Sequence, residues 1–186
     1  MMFYKNLYTI FAALLSSSVA QAELVEFNIN KNHYQLEILN GSVSVKKDSI
    51  EILRKAIAID SEQAAFVMDF NFDTYPDFAV LRESGIERYF DVYLFDKRHG
   101  NYLFNKPISA LACPSVNSKS KLILSTCNHA NSCESWRDSY RYKNGRLLII
   151  RRDGTTCDPA TGQTYKYFET YKNGRISKHD VTPIEQ

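Results

Sequence analysis

The chain has 186 residues, enough for one domain with a real core, and its 23 basic and 21 acidic side chains leave a formal charge of +2. That balance excludes a strongly basic nucleic-acid surface, because the pairs Lys46-Lys47, Lys97-Arg98 and Arg151-Arg152 are scattered and read as solvated strand edges. No stretch after the N-terminal segment is long and apolar enough to cross a bilayer, so no membrane insertion is expected.

At the N-terminus Lys5 precedes the apolar run Leu7 to Leu15, a Ser-rich segment and the small-x-small string Ala20-Gln21-Ala22. Three features in that order predict a secretory signal peptide over residues 1–22, with a buried N-terminal helix as the alternative. The mature chain, residues 23–186, is then expected to form a single β domain that is soluble outside the cytoplasm. In a Gram-negative cell that compartment is the periplasm. No Cys stands at the cleavage point, so a lipid anchor is not indicated.

From Val25 the apolar residues alternate: Val25, Phe27 and Ile29, then Tyr34, Leu36 and Ile38, then Val43 and Val45. Period two predicts strands with one buried face. Asn40-Gly41 closes a hairpin, because a two-residue type I′ turn needs positive φ at both positions. Residues 49–59 fit either a strand or a helical stripe, and strand is favoured.

Met68 to Val80 carries the sharpest local signal. Asp69, Asn71, Asp73 and Asp77 fall at loop positions one, three, five and nine, and the carbonyl of Tyr75 falls at seven. Short oxygen-bearing side chains at that spacing can gather around one hard cation, so the loop predicts Ca²⁺, while Phe70, Phe72 and Phe78 anchor it in a core. It is not an EF-hand: position six is Thr74 where the sharp turn favours Gly, and position twelve is Val80 rather than Glu. A solvated acidic turn is the alternative.

Beyond it, Arg82 to Arg88 is a polar loop with Gly85, a place for binding. Tyr89 to Phe95 reads as an aromatic strand, turned back by Asp96 to Gly100 into Tyr102 to Phe104. Leu122 to Cys127, Trp136 to Tyr142, Leu147 to Arg151 and Thr164 to Tyr171 complete the strands, with Asn144-Gly145 and Asn173-Gly174 as hairpin turns. The expected fold is all-β, with antiparallel sheets in a propeller-like or sandwich arrangement.

Cys113, Cys127, Cys133 and Cys157 are an even set in an exported chain, which implies two disulfides. Three pairings are possible; the favoured one joins Cys127 to Cys133 across a short loop and leaves Cys113 with Cys157. No Cys-x-x-Cys pair points to zinc or redox chemistry.

Enzymatic signals are missing. Ser84-Gly85 lacks a nucleophile elbow, and His33, His99, His129 and His179 have no metal-ligand partner at helical spacing. The clustered carboxylates belong to the metal loop. The chain is therefore read as a binding protein rather than an enzyme.

The string Asp-Phe-Asn-Phe-Asp-x-Tyr-x-Asp, the strand ending Tyr-Leu-Phe-Asp, and the following Cys-Pro, Ser-x-Cys, Cys and Tyr-Arg-Tyr-x-x-Gly-x-Leu resemble a family of exported bacterial immunity proteins. These neutralise lysozyme-like effectors delivered by type IV secretion, and the resemblance covers roughly Ala65 to Asp158. It implies a β-propeller-like fold shared with lysozyme inhibitors, a Ca²⁺ held by Asp69, Asn71, Asp73 and Asp77, and occlusion of a peptidoglycan hydrolase. Thr74 departs from the family's Gly. Ser84-Gly85 also resembles the Ser-Gly-x-x-Tyr loop of an invertebrate-type lysozyme inhibitor family, with Tyr89 one residue too far. The expected partner loop is thus Ser84, Gly85, Glu87, Arg88 and Tyr89, with Arg88 placed to meet a glycoside hydrolase's carboxylates. The rival expectation is a calcium-stabilised module that binds envelope glycan or protein without inhibiting anything.

Overall fold

The computed structural model describes residues 23–29, 31–39, 41–57, 64–127 and 133–184. The predicted signal peptide, Asn40 of the first hairpin turn, the end of the 49–59 stretch and His129 lie outside the described residues.

Three antiparallel meanders follow one another along the chain. The first holds β1 (Glu23–Ile29), β2 (Asn32–Leu39), β3 (Ser42–Lys47) and β4 (Ile50–Ala56). The second holds β5 (Ala65–Met68), β6 (Asp77–Glu83), β7 (Tyr89–Asp96) and β8 (Asn101–Phe104). After the one-turn helix α1 (Lys106–Ser109) come β9 (Pro114–Asn117), β10 (Leu122–Ser125), β11 (Ser135–Lys143), β12 (Arg146–Cys157), β13 (Thr164–Lys172) and β14 (Arg175–Pro183). Every strand pairs with its chain neighbour within its own sheet.

Turn chemistry sets these pairings. Asn144 and Gly145 have φ of 51° and 74°, and Asn173 and Gly174 have 54° and 74°, the doubly positive geometry of a type I′ turn. Asp48 and Ser49 adopt it too, at 48° and 69°. There the Asp48 carboxylate accepts the His33 amide at 2.8 Å while the Asp48 amide donates to the His33 carbonyl. Residues 50–56 thereby become a strand, with Leu53 opposite Val45.

The middle sheet is buried on both faces. Alternate residues of β6 and β7 point opposite ways, so Phe78, Val80, Tyr93 and Phe95 meet Tyr34, Leu36, Val43 and Val45 of the first sheet. On the other face Ala79, Leu81, Phe90, Val92 and Leu94 meet Ile108, Leu111 and Ile123, with Val116, Tyr140 and Leu147 packed at the margin. The result is an all-β stack of three open sheets, the sandwich form of the expected fold. Phe78 stacks on Tyr93 with centroids 4.9 Å apart, and Phe27, Tyr34 and Phe95 pack mutually at 5.1 to 5.3 Å. Tyr34 and Tyr93 thus serve packing.

The disulfides correct the sequence expectation: they join Cys113 to Cys127 and Cys133 to Cys157, not Cys127 to Cys133 and Cys113 to Cys157. Strand register is the reason. Ser135 pairs with Thr155, which puts Cys133 directly opposite Cys157 two residues further along the same ladder. Ser125 pairs with Pro114, which brings Cys127 and Cys113 together just beyond the end of β9 and β10. Their Cα separations, 5.7 and 5.4 Å, suit a bridge. Among the described residues no helix is long and apolar enough to cross a membrane. Two disulfides fit an exported chain.

Candidate functional site

The acidic loop connects β5 to β6 at one end of the middle sheet. Its short side chains wind the backbone around themselves. Asp69 accepts the amides of Asp73 and Thr74 at 3.1 and 2.9 Å, Asn71 accepts that of Asp73 at 3.0 Å, and Asp73 accepts that of Tyr75 at 3.1 Å. These bonds hold Phe72 and Thr74 at φ of 61° and 76°. The sharp turn at position six is therefore made without Gly, at the cost of strain in a β-branched residue.

Asp77 is set differently. It is fully buried, and its two oxygens accept the amides of Phe70 and Phe95, each at 2.8 Å. One carboxylate thus ties the loop's entry, its exit and the neighbouring strand β7 together. Its carboxyl is pushed up to about 8, chiefly by burial and with help from the Asp73 and Asp69 charges, against the opposing pull of the Phe95 and Phe70 amides. The Tyr102 hydroxyl donates to the Pro76 carbonyl at 2.8 Å, closing the same corner. Phe70 and Phe78 are both fully buried, in opposite cores, while Phe72 is partly buried beside Phe70. These are the anchors that the sequence pattern required.

The donor set suits a hard cation in its chemistry: three carboxylates and one amide oxygen, with no thiolate or imidazole. Its convergence is incomplete. Among the described residues no three His, Cys, Asp or Glu side chains form a metal-holding group, and both Asp77 oxygens are already engaged by amides. A carboxylate oxygen has two acceptor positions, so the engaged oxygens of Asp69 and Asp77 keep further capacity.

The candidate partner loop lies in the β6–β7 connection of the same sheet. Ser84 and Gly85 are exposed, and Ile86 beside them is 63% exposed. Behind this tip Glu87 accepts the Tyr89 hydroxyl at 2.6 Å, which holds the Tyr89 phenol above its usual range. The Arg82 guanidinium lies over the Tyr89 ring and pairs with Asp91 at 3.1 Å. The Arg88 carbonyl accepts the Cys113 amide at 2.7 Å, joining the loop base to the first disulfide. Arg88 therefore belongs to the base and not to the tip.

One feature has no linear signature. A cleft of about 390 Å³ opens between the middle and third sheets, lined by Phe66, Met68, Arg88, Phe90, Cys113, Pro114, Ser115 and Thr126. Its walls come from four strands and their ends, so no local spacing in the chain foretells it.

No protein-family model and no curated protein matches the chain. Among solved structures it is similar to a type IV secretion system related protein from Xanthomonas, with a TM-score of 0.54 and 18% identity. The likeness covers 88% of this chain and 93% of that one. What they share is the fold.

Proposed function

We propose that this chain is an exported, periplasmic inhibitor of immunity type, which binds a lysozyme-like peptidoglycan hydrolase and occludes its cleft. The observation that carries the reading is a fold held in common, over nearly the whole length of both chains, with a type IV secretion system related protein. A secretion-associated role is the coarser statement it supports; inhibition is the finer one proposed.

The geometry of the middle sheet supports occlusion. A short exposed tip at Ser84, Gly85 and Ile86 stands on a base fixed by the Glu87–Tyr89 and Arg88–Cys113 hydrogen bonds. Both cores and one disulfide back that base, so little ordering cost remains when the tip enters a sugar-binding groove. Asp69, Asn71, Asp73, Asp77 and the Tyr75 carbonyl would hold Ca²⁺ at the sheet's opposite connection, where the ion would stiffen the scaffold.

Turbidity of a peptidoglycan suspension tests the reading. The protein should slow clearance by an added lysozyme-type hydrolase, and a Ser84→Trp/Ile86→Asp variant should lose most of that inhibition. Clearance at an unchanged rate across a panel of such hydrolases leaves a plain envelope-binding module; clearance by the protein itself makes it a hydrolase.

A further inference from the structure

We propose that the cleft between the middle and third sheets is a binding site for a small monocarboxylate with an apolar, aromatic-sized body. Its walls are chemically divided. Phe66 and Phe90 meet edge to face at 5.1 Å, and Met68 and Pro114 extend the same apolar surface. Arg88 and Thr126 supply the polar part.

Strand geometry aims Arg88 inward. Phe90, Val92 and Leu94 face the third sheet, and Arg88 has the same parity on the backbone running into β7. Tyr89 and Asp91, of opposite parity, engage Arg82 instead. Among the described residues the Arg88 guanidinium has no hydrogen bond or ion pair, which leaves its donors for a ligand. Among the described residues the Thr126 hydroxyl oxygen is buried and has no hydrogen-bond partner. A buried hydroxyl left unpaired costs stability, so a turn of the Thr126 side chain that brings its hydroxyl to a ligand's carboxylate is favoured.

The two groups define the ligand. A guanidinium is a planar fork that matches a carboxylate, and one such cation balances one negative charge. A doubly charged phosphate would leave its second charge against Phe66, Met68 and Phe90. The cavity volume falls within the range of small-molecule sites, with room for one aromatic ring and a short chain. The site is separate from the Ser84–Ile86 tip and needs no hydrolase, so its test is independent of inhibition.

The test is a methyl-resolved NMR titration of the mature protein with 3-phenylpropionate and with the neutral isostere 3-phenylpropanamide. Saturable shifts at Met68 and Thr126 are expected for the acid, with the amide weaker by about tenfold or more. Arg88→Gln should reduce acid affinity by a similar factor while its amide spectrum otherwise overlays the parent. Thr126→Val should weaken binding yet leave the free protein as stable or more stable, because it deletes the unpaired hydroxyl. A purely structural threonine would not separate those two readouts. Equal affinity for acid and amide, unchanged binding by Arg88→Gln, or no saturable shift at either residue overturns the proposal.

Discussion

At the scale of single residues, the acidic loop rests on side chains that accept backbone amides from two to seven residues away. Thr74 is its most strained member: its amide is held by Asp69, its side chain is exposed, and its φ is 76°. Only the amide is used, so Gly can replace it without losing a bond. A left-handed backbone costs an L-residue roughly 1–2 kcal/mol, and Gly loses about 0.5–1 kcal/mol more chain entropy on folding than Ala. Thr74→Gly is therefore expected to stabilise the fold by about 0.5–1 kcal/mol in urea unfolding. A destabilised variant would show that the hydroxyl or methyl has a role that its exposure hides. The wound Asx loop was legible in the sequence because Asx side chains act over two to five residues. Asp77's burial was not, since its partner Phe95 lies eighteen residues on, across a strand pair.

Among the elements, legibility followed burial. β2, β3, β6 and β7 each bury at least one face, and their alternating or continuous apolar runs announce them. β14 is exposed along all nine residues, so its sequence has no pattern to give; only the Asn173-Gly174 turn implied a returning strand. β9 begins at a proline and is only four residues long, and α1 is a single turn capped by Asn105, whose carboxamide oxygen accepts the Ile108 amide. Cysteine pairing failed for a different reason: proximity in sequence was weighed where ladder register decides. Each bridge clamps one end of a hairpin in the third sheet, closing separations of 14 and 24 residues. Removing either by a Cys→Ser pair should cost about 3 kcal/mol on the loop-entropy model. Non-reducing peptide mapping should recover Cys113 with Cys127 and Cys133 with Cys157. A fragment linking Cys127 to Cys133 would contradict the strand register.

On the scale of the whole molecule, the middle sheet is the element that the other two share, so whatever stiffens it stiffens both cores. The acidic loop joins β5 to β6 within that sheet, and Asp77 reaches across to β7. An ion held by Asp69, Asn71 and Asp73 would add to a framework already drawn tight by Asp77. Binding confined to the folded state stabilises by about 2.7 kcal/mol at a hundredfold excess over Kd, which in a domain of this size raises Tm by roughly 5–10 °C. Calcium added to chelator-treated protein should produce such a rise, and magnesium much less, because its small octahedral shell fits a flexible loop poorly. Asp73→Asn separates ion from scaffold. The amide oxygen can still accept from Tyr75, so the calcium-free Tm should stay near the parent's, while the calcium-dependent rise should largely vanish. If calcium leaves Tm unmoved in the parent, the Asx network alone holds the loop, and the acidic pattern is a turn that needs no ion.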